Sequence, residues 1–130
     1  HRMLQQSDFV VVCCPLTPQT KGVIGATEFR MMKETAFFIN IARGEIVDQL
    51  ALITALQTKE ISGAGLDVTE PEPLPKNNPL WEMESVIITP HHAGQSPKSA
   101  SRIFHVLCEN LKRFVTNQPL ISVVDKTQWF

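Results

Sequence analysis

The chain has 130 residues, 43% of them hydrophobic, with 12 Lys and Arg against 13 Asp and Glu, which fits one ordinary globular domain with a core of its own. The near-neutral balance and the lack of a basic block exclude the charge pattern of a nucleic-acid or anionic-membrane partner. The longest apolar run is strand-length, well short of the ~20 residues of a membrane helix, and the opening His1-Arg2-Met3-Leu4 has no signal-peptide core.

Cys13, Cys14 and Cys108 are odd in number and lack metal-ligand spacing. The adjacent pair lies in an apolar run, so the thiols read as buried and structural, in a reducing cytoplasm, and no metal site is predicted.

Taken in order, Met3-Leu4-Gln5-Gln6 reads as the tail of a helix already under way, as though the chain were cut from a larger protein. Phe9 to Cys14 is a short, continuous apolar run, and Ala36 to Ile41, Ile61 to Val68 and Val86 to Thr89 repeat the pattern. Such runs are too short for helices and read as parallel strands buried on both faces. Gly63 and Gly65 in the third mark a close backbone approach. Between the runs, Thr27 caps a short helix through Lys33, with Phe29 and Met32 on one side. Asp48 caps a second helix to Thr58, with Leu50, Ile53 and Leu56 on one face. Pro71-Glu72-Pro73-Leu74-Pro75 through Pro79 is a long, stiff loop, and loops of that length tend to be functional. Ser96-Pro97 is a cap followed by proline at the first helical position. From there Ile103, Phe104, Leu107, Cys108, Leu111, Phe114 and Val115 form an amphipathic stripe that reads as core.

Alternating strands and helices predict an α/β fold with a doubly wound parallel sheet. Such nucleotide folds normally open on a strand, a glycine-rich turn and a helix. No G-x-G-x-x-G occurs here, and Gly63-Ala64-Gly65 lies inside a strand-like run that leads into no helix.

Chemically capable side chains follow the predicted strands. Asn40-Ile41-Ala42-Arg43-Gly44 follows the second, Asp67 ends the third, and Pro90-His91-His92 follows the fourth. In a parallel sheet these are carboxyl ends on one edge, the crevice where open α/β sheets bind ligands. An arginine there offers a planar fork for a carboxylate. A histidine transfers protons near neutral pH, and a neighbouring glutamate favours its protonated form. Reduction of a 2-oxo acid needs these parts: an anchor for the carboxylate, a cation at the carbonyl, and a proton for its oxygen.

Four segments, Cys14-Pro15-Leu16-Thr17-Pro18-Gln19-Thr20, Phe38-Ile39-Asn40-Ile41-Ala42-Arg43-Gly44, Gly65-Leu66-Asp67-Val68-Thr69-Glu70-Pro71-Glu72-Pro73-Leu74 and Ile88-Thr89-Pro90-His91, closely resemble the D-isomer-specific 2-hydroxyacid dehydrogenases in order and spacing. Asn78-Pro79-Leu80-Trp81 and Val124-Asp125-Lys126 look most like the glyoxylate/hydroxypyruvate reductase branch. The resemblance implies a partial doubly wound, Rossmann-like parallel sheet over residues 1–117, the C-terminal part of an NAD(P)-binding domain. Residues 118–130 form a tail returning toward a substrate lobe that the chain lacks.

By the same resemblance Arg43 binds the substrate carboxylate and carbonyl, His91 is the proton donor and Glu72 pairs with it, while Glu70 is solvated and His92 transfers no proton. Cys14, Pro15 and Thr20 line the adenine-ribose side of NAD or NADP. Ile41, Ala42 and Arg43 hold the nicotinamide through their backbone, Asp67 through its carboxamide, with His91, Ala93 and Gly94 beside it. Ala93, where many relatives have glycine, leaves a backbone amide available. The implied enzyme is an oxidoreductase passing hydride between a nicotinamide cofactor and a small 2-oxo acid, a homodimer when full length. Cofactor preference is not readable. The alternatives are a non-catalytic, dinucleotide-sensing corepressor-like relative, or a fragment inactive as given, with Ile121, Trp129 and Phe130 partly exposed.

Overall fold

The computed structural model describes residues 1–127, and the chain divides into two compact units, His1–Ala93 and Gly94–Phe130.

In the first unit the strands β1 (Phe9–Val12), β2 (Phe37–Asn40), β3 (Gly63–Leu66) and β4 (Val86–Ile88) form a parallel sheet in sequence order. Each lies within its predicted apolar run. Helix α1 (Arg2–Gln6) precedes the sheet, α2 (Ala26–Met31) links β1 to β2, and α3 (Gln49–Gln57) links β2 to β3. The β3–β4 connection has only a 3-10 turn, Pro79–Glu82.

Register sorts the strand residues into two faces. Val10 aligns with Phe38, Ala64 and Val86, and Val12 with Asn40, Leu66 and Ile88. This face lies in the core with Leu4, Phe29, Leu52 and Leu56. Phe29 meets Phe38 edge-to-face at 5.2 Å between ring centres, the geometry aromatic quadrupoles favour. The opposite face carries Phe9, Val11, Phe37 and Ile87, with Phe9 63% and Ile87 70% exposed. The expectation of strands buried on both faces is therefore corrected. In a sheet built strand by strand in one direction, right-handed crossovers all land on the same side.

Gly63 meets the predicted close approach: a Cβ there would strike the Ser85 carbonyl and the Phe37 ring. Gly65 does not: a Cβ there would make only ordinary contact with Ile39.

The helix caps need two corrections. Helix α2 is capped by Gly25, not Thr27; the Glu28 carboxylate accepts the Gly25 N–H at 2.9 Å, and Phe29 and Met32, expected on one side of the helix, are both buried. Asp48 does cap α3, accepting from the Leu50 and Ala51 amides. The buried side of α3 is Leu52, Ile53, Ala55 and Leu56, whereas Leu50 is 76% exposed. At 100° per residue Leu50 points away from that cluster.

In the second unit, α4 (Ser99–Val115) begins after the Ser96–Ser99 turn rather than at Pro97. The Ser99 hydroxyl accepts the Ser96 N–H at 2.9 Å. The stripe of Ile103, Phe104, Leu107, Leu111, Phe114 and Val115 is exposed, not core. Periodicity specifies which side a partner would cover; it does not supply the partner. The Asn110 amide clasps the Ile121 backbone in both directions, at 2.9 and 2.8 Å, and Ile121 is half-buried. Trp129 and Phe130 lie outside the described residues. Among the described residues no helix is long and apolar enough to cross a membrane, and no group of three potential metal ligands gathers.

Candidate active site

All four strands end on one edge, and each of the segments singled out in the sequence leaves from it. The segment after β1 is exposed except around the buried Thr17. Cys13 and Cys14 are exposed and Cys108 is half-buried, which corrects the expectation of buried thiols: β1 ends at Val12, so the pair lies in the loop. That loop is tied internally. The Thr20 hydroxyl donates to the Pro15 carbonyl at 2.8 Å and accepts the Thr17 N–H at 2.7 Å.

After β2 the chain turns sharply around Asn40, whose side chain is 1% exposed. Its Oδ1 accepts the Ala42 N–H at 3.0 Å and its Nδ2 donates to the Arg43 carbonyl at 2.9 Å. Asn40 thus shapes the Ile41-Ala42-Arg43 segment from below. Ile41 and Arg43 are exposed and Ala42 is buried. The Arg43 guanidinium folds back, Nη1 donating to the Ala42 carbonyl at 2.6 Å. Gly44 is pressed against the next loop; a Cβ there would collide with the Thr69 carbonyl.

After β3, Asp67 is 6% exposed and its carboxylate is heavily used. Oδ1 accepts the Thr89 hydroxyl at 2.5 Å and the His92 N–H at 2.9 Å, while Oδ2 accepts the Ala93 N–H at 2.7 Å. The Asp67 carbonyl also accepts the His91 N–H at 3.0 Å. Burial pushes the acid's pKa up, but the hydrogen bonds from Thr89, Ala93 and His92 and the field of His91 outweigh it, leaving Asp67 below the ordinary 3.8. Ala93 therefore has no free amide here, contrary to expectation. Gly94 belongs to the second unit.

The proline-rich loop is anchored at both ends. Thr69 and Leu74 are buried, the Gln49 side chain accepts the Glu70 N–H at 3.0 Å, and the Trp81 indole donates to the Pro75 carbonyl at 2.9 Å. Glu70 is exposed, as predicted. Between the anchors Glu72 reaches His91: His91 Nδ1 lies 2.8 Å from Glu72 Oε1. A carboxylate only accepts, so Nδ1 is the donor toward Glu72 and Nε2 is the ring nitrogen that this contact leaves unused. His91 has a backbone φ of 55°, a left-handed conformation that costs a non-glycine residue roughly 1–2 kcal/mol.

The two histidines serve different hollows. His91, Glu72, Pro73, Trp81 and Pro90 line a cavity of about 230 Å³. His92 faces a shallower one on the bare sheet face, floored by Ile39, Ile41, Gly65 and Ile87 and rimmed by Asp67, Thr89 and Ala93. Glu72 and His91 are joined directly, as the sequence predicts. Arg43 follows β2 and His91 follows β4, so their strands are two spacings, about 10 Å, apart. Asn40 and Thr89 stand in segments the sequence singles out, but no role is read for either of them there. A buried asparagine ending an apolar run was the available signal for the first; for Thr89 there was none, because its partner is distant in the chain.

An open parallel sheet, with a carboxylate–imidazole pair and an exposed arginine at its carboxyl edge, is a Rossmann-like nucleotide-binding α/β fold. Residues 1–93 match the family described as "D-isomer specific 2-hydroxyacid dehydrogenase, NAD binding domain", and the chain belongs to that family. It is 55% identical over 109 residues to glyoxylate/hydroxypyruvate reductase B of Cronobacter sakazakii, covering 84% of this chain and 34% of that protein. It is 45% identical over 131 residues to the glyoxylate reductase of Korarchaeum cryptofilum, covering 95% and 40%. The structure superposes with a TM-score of 0.90 on the NADPH-dependent glyoxylate/hydroxypyruvate reductase of Sinorhizobium meliloti in complex with NADP and sulfate, at 33% identity, covering 99% of this chain and 42% of that one. The chain thus spans between a third and a half of the length of these relatives.

Proposed function

We propose that the full-length protein carrying this chain is an oxidoreductase that reduces a small 2-oxo acid, glyoxylate or hydroxypyruvate, with NADH or NADPH. The observation that carries this reading is the Glu72–His91 contact at the carboxyl edge of the sheet. The reductases named above support the substrate class, and the NADP held by the Sinorhizobium protein supports the cofactor class.

The residues fit a nicotinamide. The hollow beside β2, β3 and β4 has an apolar floor, with no side chain rising from Gly65, and a polar rim. Asp67 Oδ2 accepts one bond, from Ala93, and a carboxylate oxygen has room for a second, such as a carboxamide N–H. Ile41, Asp67 and Ala93, which line that hollow, would hold the ring, with Ala42, Arg43 and His91 next to it on the same edge, and Cys14, Pro15 and Thr20 the adenosine end. When bound, the reduced nicotinamide supplies hydride to the keto carbon. Arg43 turns its exposed guanidinium to the substrate carboxylate and carbonyl, offsetting charge on the oxygen. His91 delivers a proton to that oxygen from Nε2, while Glu72 holds Nδ1 and with it the ring's orientation.

The test is reduction of glyoxylate and hydroxypyruvate by the full-length protein, followed by loss of nicotinamide absorbance. Arg43→Ala and His91→Asn each lower kcat/KM by ~10²–10⁴-fold. Near-normal rates in either variant remove that residue's role. A wild-type protein that binds dinucleotide but reduces neither acid is instead a sensor of the corepressor type. The family resemblance extends the proposal to a cytoplasmic homodimer, which light scattering and cell fractionation check.

A further inference from the structure

We propose that Asp67 and Thr89 form a latch that positions His91, a role for these two residues that rests on the reading of His91 as proton donor.

Four groups between Thr89 and Ala93 converge on the single residue Asp67. The Thr89 hydroxyl and the His92 and Ala93 amides meet its carboxylate at 2.5, 2.9 and 2.7 Å, and the His91 amide meets its carbonyl at 3.0 Å. His91 lies in the middle of this set in a left-handed conformation, with φ 55°. A non-glycine residue keeps that conformation only where its surroundings overdetermine it. Pro90 precedes it, and a proline has no amide with which to share the task. The His91 ring itself touches neither Asp67 nor Thr89 in any hydrogen bond; it points to Glu72. Asp67 and Thr89 therefore act through the backbone, and they are positioning residues.

The arrangement is more than a strand-end cap. Thr89 continues β4 through its amide, which donates to the Leu66 carbonyl at 2.9 Å. Its hydroxyl adds a separate bond to an acid that is almost wholly buried. Charge-assisted bonds in such a site are short and directional. Removing one lets the turn relax and carries the imidazole away from Glu72.

The deciving variant is Thr89→Val in the full-length protein, which keeps the shape and deletes one hydroxyl. It lowers kcat by ~10- to 100-fold, the scale of a displacement of about 1 Å at the reacting groups, while the KM for dinucleotide changes little. Thr89→Ser restores kcat to near the wild-type value. Asp67→Asn is the second variant: in either orientation its amide NH2 opposes a backbone N–H that Asp67 now accepts, that of His92 or of Ala93, and kcat falls likewise. If Thr89→Val retains normal kcat while His91→Asn is inactive, the latch is wrong and the proton donor stands. If His91→Asn itself retains normal kcat, the proton-donor reading fails first.

Discussion

Glu72 Oε1 accepts a hydrogen bond from His91 Nδ1 at 2.8 Å, between residues 19 apart in the chain. The two side chains are 42% and 44% exposed, so solvent screens the pair and its contribution to stability is small. Its value is orientation. Glu72→Gln therefore lowers kcat by about 10-fold or more, because the ring loses its charged partner, with little change in melting temperature. Steady-state kinetics beside a thermal melt separates the two effects.

Gly44 is required for a steric reason. A Cβ there would overlap the Thr69 carbonyl at the root of the Glu72 loop. Gly44→Ala forces the two loops apart and destabilises the protein by roughly 1–3 kcal/mol. Urea unfolding measures this, and an unchanged midpoint would refute the close approach.

Asn40 is buried with both ends of its amide engaged, to the Ala42 N–H and the Arg43 carbonyl. Asn40→Ala leaves those two backbone groups without partners, at a cost of about 1–3 kcal/mol. It also loosens the segment that presents Arg43. A higher KM for the keto acid accompanies the loss of stability, and kinetics at saturating cofactor reads it.

Asp67 links stability to acid. Its folded pKa is lowered below the ordinary 3.8, so its stabilising contribution is complete above that value and is lost as pH falls through the folded pKa. The difference in unfolding free energy between wild type and Asp67→Asn is level from pH ~7 to ~5 and narrows below pH ~4. A difference that grows on acidification would reverse the sign and reject the assignment.

The 130-residue chain by itself binds NADH or NADPH weakly or not at all. It has no G-x-G-x-x-G, the motif that sets pyrophosphate at a helix N-terminus. Calorimetry giving micromolar affinity for the isolated chain would overturn this.

Local chemistry was enough to read the strands, Asp48 as a cap, and the gathering of Arg43, Asp67 and His91 at one edge. Apolar runs of strand length and caps are written in neighbouring residues, and parallel pairing then brings every strand's carboxyl end to the same side. The family motifs singled out Glu72 over Glu70, and the 2.8 Å contact with His91 agrees. Tertiary structure alone decided which faces were covered. Phe9, Ile87 and the α4 stripe have the composition of core yet are exposed, because burial depends on a second surface that no local pattern supplies. It also decided the use of Asp67 and Thr89, residues 22 apart, since a hydrogen bond between distant positions exists only once the sheet has brought them together.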